Sequence, residues 1–129
     1  MSESVRESAV LLAWSRSAKG HGLRWRMLRD VVAVTSLAWM TTMQVQICLR
    51  RLHGLKNKTT RDILEELEQE RTVKQEKDDK MGLYKWGATD SGVAYWIGSR
   101  ENIPVGLAVV ASTTAFVLES EQDTKKNRK

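Results

Sequence analysis

Two long apolar runs dominate the pattern of hydrophobic and polar positions along this chain. Residues 31–49 contain no formal charge over nineteen positions, and residues 103–118 contain none over sixteen. About 20 helical residues are needed to cross the hydrocarbon core of a bilayer. The pattern therefore predicts one or two transmembrane helices, at about 31–49 and 103–118. A buried helix of a soluble bundle is the alternative for each run.

Shorter patterns predict two further helices. Ser4 and Glu7 match a capping box, and the apolar residues after them predict an amphipathic helix over residues 4–19. Thr59 and Asp62 match a second capping box. Glu–Lys pairs four residues apart follow it, so we predict a charged, solvent-exposed helix over about 60–80. Val73 is the single apolar residue of its second half, and we expect it to contribute little to stability.

These elements together predict an all-α fold, a small helical membrane protein with a single chain of 129 residues. Its predicted parts are an amphipathic N-terminal helix (1–22), a first membrane helix (23–54), a charged helix (55–80), an interfacial segment rich in glycine and aromatic residues (81–101), a second apolar helix (102–118) and a polar tail (119–129).

Small and polar residues recur at roughly helical spacing within both apolar runs. Helices that associate inside membranes use such residues for close approach and for interhelical hydrogen bonds. The spacing predicts a helix-packing face formed by Thr35, Ala38, Thr42, Gln46, Gly106, Ala108 and Ser112.

Arginine, tryptophan and tyrosine flank the same runs. These side chains combine an apolar body with a polar or charged tip, and they collect at membrane surfaces. The predicted membrane-interface residues are Arg24, Trp25, Arg26, Arg29, Arg50, Arg51, Tyr84, Trp86, Tyr95 and Trp96. A stacking surface for single-stranded nucleic acid is the rival interpretation of the aromatic residues at 84–96. It requires interleaved basic residues, and only Lys85 lies close in sequence.

The charge distribution points the same way. The net charge of the chain is +5, with +3 in residues 1–30, +5 in residues 50–61 and −4 in residues 62–80. The positive charge brackets the first apolar run instead of forming a separate arm. This arrangement favours lipid headgroups over a nucleic-acid backbone.

The chain offers few residues for chemistry. Cys48 is the single cysteine, so an intrachain disulfide is impossible, and its apolar surroundings are typical of a small hydrophobic residue. His21 and His53 lack the spacing of metal ligands, and no phosphate-binding loop or nucleophile motif is present. We therefore predict that the protein is not an enzyme and has no catalytic, cofactor-binding or metal site.

These patterns lead to a functional hypothesis. We expect a non-catalytic accessory or assembly subunit of a larger membrane complex, in the mitochondrial inner membrane and the respiratory chain, with other membrane subunits and lipids as partners. Neither nucleic acid nor a small-molecule substrate is favoured as a partner. One alternative is a soluble or peripheral basic helical module that binds nucleic acid or anionic surfaces. Another is a small self-oligomerising membrane protein of the holin type.

Overall fold

The first apolar run does not form one helix. Helix α2 (Leu23–Leu37) ends where Ala38 turns into an extended conformation, with φ −155° and ψ 142°. Met40 then pairs with Trp86 in an isolated β-bridge. Helix α3 (Thr42–His53) starts with a capping box in which Thr41 and Gln44 exchange side-chain-to-backbone hydrogen bonds. The helix is therefore interrupted at Ala38–Met40 and restarts at the polar cap of Thr41 and Gln44, and the prediction of a single helix over 31–49 is wrong.

The computed structural model describes residues 3–54, 59–80 and 82–126. Within them, six α-helices, two β-strands and one 3₁₀ turn follow one another along the chain. They are α1 (Glu3–Ser17), α2 (Leu23–Leu37), α3 (Thr42–His53), α4 (Thr60–Gln69), β1 (Val73–Asp78), β2 (Leu83–Ala88), α5 (Asp90–Trp96), a 3₁₀ turn (Arg100–Asn102) and α6 (Val105–Lys126). The fold is mostly helical with one antiparallel hairpin, so the all-α prediction is wrong.

The two apolar runs also fail as membrane spans. None of the helices in the described part of the chain is both long and apolar enough to cross a bilayer. The run at 31–49 is divided between α2 and α3, and α6 continues from its apolar part into the charged residues that follow position 118. The predictions of transmembrane helices and of an integral inner-membrane protein, with the respiratory-chain assignment that depended on them, are therefore wrong.

The charged region contains a strand where the sequence predicts a continuing helix. Helix α4 stops at Gln69, and Arg71 takes a left-handed conformation with φ 61°. Thr72 then closes the helix end, because its backbone N–H and its hydroxyl both donate to the carbonyl of Leu67. Strand β1 pairs with β2 in a register that runs from Val73–Ala88 to Asp78–Leu83. The glutamate–lysine pairs of residues 70–80, worth a few tenths of a kcal/mol each, were too weak to keep this segment helical.

Val73 anchors the hairpin, contrary to the expectation of a minor role. Its side chain is 1% exposed and belongs to the main hydrophobic core. We call the apolar side chains that are fully buried beneath α4 and the hairpin the hairpin core. Its members are 0–1% exposed and are Met40, Val45, Ile63, Leu64, Leu67 and Val73.

Helix α2 is the centre of the molecule. All residues from Met27 to Thr35 are buried, as expected for a helix covered on every side. It contacts α3, α4, α5, α6, the 3₁₀ turn and β2. Cys48 of α3 is fully buried and its thiol contacts the Met40 sulfur, and burial raises the pKa of the thiol.

Arg29 and Asp30 of α2 and His53 of α3 form a polar cluster, in which Arg29 and Asp30 are buried and His53 is partly buried. Asp30 Oδ2 is 2.8 Å from His53 Nε2, and Asp30 Oδ1 is 3.4 Å from Arg29 Nε. Arg29 also donates to the backbone carbonyl of Trp14 and to the Ser17 hydroxyl, so the cluster ties α1 to α2 and α3. Burial lowers the pKa of the Arg29 guanidinium, and the charge of Asp30 opposes that shift.

Candidate nucleic-acid interface

Helices α3 and α4 are consecutive along the chain and pack on each other and on α2. Helix α3 ends at Gly54, whose left-handed conformation (φ 70°) lets its N–H cap the carbonyl of Arg50. Residues 55–58 lie outside the described part of the chain, and α4 begins at Thr60. Helix α4 is strongly amphipathic and packs against α2, α3 and β1. It buries Ile63, Leu64 and Leu67 and exposes the opposite face to solvent.

The β1–β2 hairpin lies directly beside this unit. The Met40–Trp86 bridge adds the link between α2 and α3 to the edge of β2, through two backbone hydrogen bonds. Trp86 is buried, and its indole N–H donates to the hydroxyl of Thr42. Tyr84, two residues earlier, is 57% exposed on the same strand. Of these two predicted interface aromatics, one is therefore a core residue and one is on the surface.

Positive charge is concentrated in the part of the chain that leads up to α4. Residues 8–61 contain ten lysines and arginines and one acidic residue, Asp30, which is buried in the polar cluster. Acidic side chains then follow along α4 at positions 62, 65, 66 and 68. The basic segment thus ends with Arg61 in the first turn of α4, where Asp62 follows directly, and the rest of the helix is acidic.

The arginines predicted at a membrane boundary divide into three groups. Arg26 and Arg50 are exposed. Arg24 and Arg51 join elements, because Arg24 forms an ion pair with Glu66 of α4 and Arg51 donates to Thr113 and Thr114 of α6. Arg29 is 4% exposed and serves the polar cluster.

Four aromatic rings from separate parts of the sequence form a continuous row, which we call the aromatic strip. His21 stacks on Trp25 with a centroid distance of 3.9 Å and an interplanar angle of 12°. Trp25 contacts Trp96 at 5.6 Å, and Trp96 meets Tyr95 edge-on at 5.4 Å. The sequence identified three of these residues as interface candidates but missed His21. The spacing of four residues between His21 and Trp25 was the feature of the sequence that could have indicated their contact.

The predicted helix-packing face is distributed over several elements. Thr35 lies in α2, Ala38 caps its C-terminus, and Thr42 and Gln46 lie in α3, so these four residues do not share one helix. The buried positions of α6 include Leu107, Ala111 and Thr114. Of the three residues predicted to pack in α6, Ala108 is half-buried, and the other two, Gly106 and Ser112, are exposed.

Comparisons with protein-family models, with curated proteins and with solved structures give no match to this chain. Its own geometry must therefore carry any functional argument.

Two features of the described residues bear on the binding of metals and small molecules. Within the described residues, no three His, Cys, Asp or Glu side chains are grouped so as to hold a metal ion. A cleft of about 250 Å³ beside the hairpin is lined by Trp39, Glu76, Lys77, Asp78 and Lys85. Ligand pockets are mostly apolar and typically about 300–1,000 Å³. This cleft is smaller and mainly charged, and Lys85 and Asp78 already form an ion pair across it at 3.3 Å.

Proposed function

We propose that this protein binds duplex DNA through the consecutive helices α3 and α4. The observation that carries the proposal is the amphipathic α4, which packs on α2 and α3 and follows a basic segment. In helix-turn-helix proteins, the second of two packed helices enters the major groove and its N-terminal residues contact base edges, and we give α4 that role. The support is an analogy of architecture, joined to the charge distribution of this chain.

The N-terminal end of α4 has the side chains that such contacts require. The Arg61 side chain is 79% exposed in the first turn, and Arg50 is exposed near the end of α3. The connecting segment adds Lys56 and Lys58 to the sequence between these helices. The N-terminus of a helix also carries a partial positive charge, which favours phosphate groups.

The acidic residues of α4 set the orientation of the DNA in this proposal. Asp62 is exposed in the first turn, Glu65 and Glu68 are exposed on the turns that follow, and phosphate groups close to these carboxylates would be repelled. Glu65 is 3.3 Å from Arg61 and neutralises part of its charge. We therefore place the DNA contact at Arg61 and the adjoining end of α3, with the exposed carboxylates of α4 turned away from the backbone.

The test measures binding of the full chain to a short random-sequence duplex by fluorescence anisotropy at several salt concentrations. We expect Arg50→Ala combined with Arg61→Ala to weaken binding and to reduce the slope of log K against log salt by about two, since each lost phosphate contact removes about one unit. Circular dichroism checks that the variant is folded.

Two control variants make the result specific. Arg100→Ala removes one exposed arginine from the 3₁₀ turn, and the salt slope should stay unchanged. Glu68→Gln removes a negative charge from the far end of α4, and affinity should stay equal or rise. A double variant that binds duplex DNA as tightly as the natural chain, or a loss of the same size in Arg100→Ala, would refute the proposal.

The accessory-subunit and holin hypotheses depended on membrane-spanning helices and are not proposed. That the chain has no catalytic activity remains a prediction.

A further inference from the structure

We infer that the aromatic strip binds unpaired nucleotides of single-stranded nucleic acid by stacking. The strip shares no residue with the duplex contact proposed above, which lies at Arg50 and Arg61. Three independent features of the structure support the inference: the accessible aromatic side chains, the positive charge beside them, and the rigid support of the strip.

Both ends of the strip are accessible to a ligand. The Tyr95 side chain on α5 is 77% exposed, more than any other large hydrophobic side chain that the structure describes. His21 is exposed at the opposite end, while Trp25 and Trp96 between them are half-buried. Every nucleobase has a flat aromatic face, so a row of accessible rings binds bases without requiring a particular sequence.

Basic residues adjoin two of these rings in the sequence. Lys19 precedes His21, and Arg24 and Arg26 flank Trp25 in the first turn of α2, where Arg24 is paired with Glu66 of α4. The contact between Trp25 and Trp96 brings this basic segment to the aromatic residues of α5. The folded chain therefore brings a segment that carries Lys19 and Arg26 to Tyr95 and Trp96, which the linear sequence did not. The charge is complementary to a phosphate backbone.

Buried side chains support the Trp25 ring of the aromatic strip. The guanidinium carbon of Arg29 lies 4.0 Å from the ring centroid of Trp14 and 5.3 Å from that of Trp25. Arg29 is itself fixed by its hydrogen bonds to α1 and by its ion pair with Asp30. Trp25 is thus held in place before any ligand arrives, which reduces the entropy lost on binding.

The experiment compares two fluorescent probes of equal length, oligo(dT) and an oligomer of the same backbone without bases. Both carry the same phosphate charge, so a difference in affinity reports stacking. We expect the full chain to bind oligo(dT) about tenfold more tightly, a ratio within the range measured for stacking of a single base on an aromatic side chain.

Variants then assign the difference to the strip. We expect Tyr95→Ala to weaken binding of oligo(dT) about tenfold and to leave binding of the base-free probe unchanged. Tyr95→Phe retains the ring and should bind like the natural chain. Tyr84→Ala removes another exposed tyrosine, on the hairpin and outside the strip, and serves as the matched control. Because both side chains are largely exposed, these variants should fold.

The outcomes separate this inference from the duplex-binding proposal. Weaker oligo(dT) binding in Tyr95→Ala supports the strip, whatever the affinity for duplex DNA. Three results would overturn it: equal affinity of the natural chain for the two probes, unchanged oligo(dT) binding in Tyr95→Ala, or an equal loss in Tyr84→Ala. Loss of duplex binding in the Arg50 and Arg61 double variant, with oligo(dT) binding retained, would show that the two sites act separately.

Discussion

The hairpin core and the polar cluster are both buried, but they stabilise the molecule in different ways. The hairpin core consists of apolar side chains, whose contribution is non-directional and grows with the apolar area removed from water. The polar cluster consists of an arginine, an aspartate and a histidine that satisfy one another through directed contacts. Removing a methyl group from the hairpin core reduces its stabilising free energy in proportion to the apolar area lost. Removing one partner from the polar cluster instead leaves an uncompensated buried charge.

The two regions also hold different parts of the functional surface. The hairpin core positions α4, which carries Arg61 of the proposed duplex contact, and the β1–β2 hairpin. The polar cluster positions α1 and Trp25, and therefore the aromatic strip. Damage to each region should consequently affect a different surface first.

The largest effect is expected from Asp30→Ala. The substitution leaves Arg29 buried without a counter-charge and removes the partner of His53 Nε2. Breaking a buried ion pair by removing one member typically costs about 3–5 kcal/mol, because the remaining charge stays desolvated. Urea denaturation followed by circular dichroism gives the change in the free energy of unfolding.

Asp79→Ala is the control for this change, since Asp79 is exposed in the turn of the hairpin. Its effect should stay within about 0.5 kcal/mol. If Asp30→Ala cost less than about 1 kcal/mol, the polar cluster would not be the tie between α1, α2 and α3 that its contacts indicate.

The hydropathy pattern identified buried positions of the chain, but it did not show whether they are buried in lipid or inside the protein. The charge-free run at 31–49 is largely buried, and Val31–Val34 are 0–1% exposed. Its hydropathy is equally compatible with lipid and with a protein core. What distinguishes the two here is the pairing of Met40 with Trp86, a contact across more than forty residues that local periodicity does not contain.

The strand β1 was hidden for a similar reason. Five of its six residues are polar or charged, and residues 70–80 contain glutamate–lysine pairs at helical spacing. The segment became a strand because β2 offers a complete ladder of backbone partners and because Val73 is drawn into the core. Tertiary context routinely overrides local preferences of this size.

The candidate sites were only partly accessible from sequence. Trp25, Tyr95 and Trp96 were identified as interface residues from their amphipathic character, but their contact with one another depends on how α5 packs on α2. The burial of Arg29 was missed because arginine is seldom fully buried without a partner. The partners, Asp30 and the carbonyl of Trp14, become apparent only in the folded chain.

A smaller effect is expected from Val73→Ala in the hairpin core. The substitution removes two methyl groups from a side chain that is 1% exposed. Buried truncations of this size cost about 2 kcal/mol from lost transfer energy and the cavity left behind. Gln75→Ala, at an exposed position of the same strand, should change the free energy of unfolding by less than about 0.5 kcal/mol. Equal losses in the two variants would mean that β1 is stabilised by its backbone pairing alone.

The smallest effect, and one of opposite sign, is expected outside both regions at Gly106 of α6. An added Cβ would meet no atom within 4 Å, and the backbone is not in the left-handed region that favours glycine. Alanine restricts the unfolded chain more than glycine does, so Gly106→Ala should stabilise the protein by about 0.5 kcal/mol in the same urea titration.

The variant also tests the packing face predicted from sequence, in which Gly106 permits close approach of another helix. If that face is used by a partner that copurifies with the chain, the substitution would instead destabilise the assembly. A loss of stability would therefore contradict the open space around Gly106 and favour the sequence-based prediction.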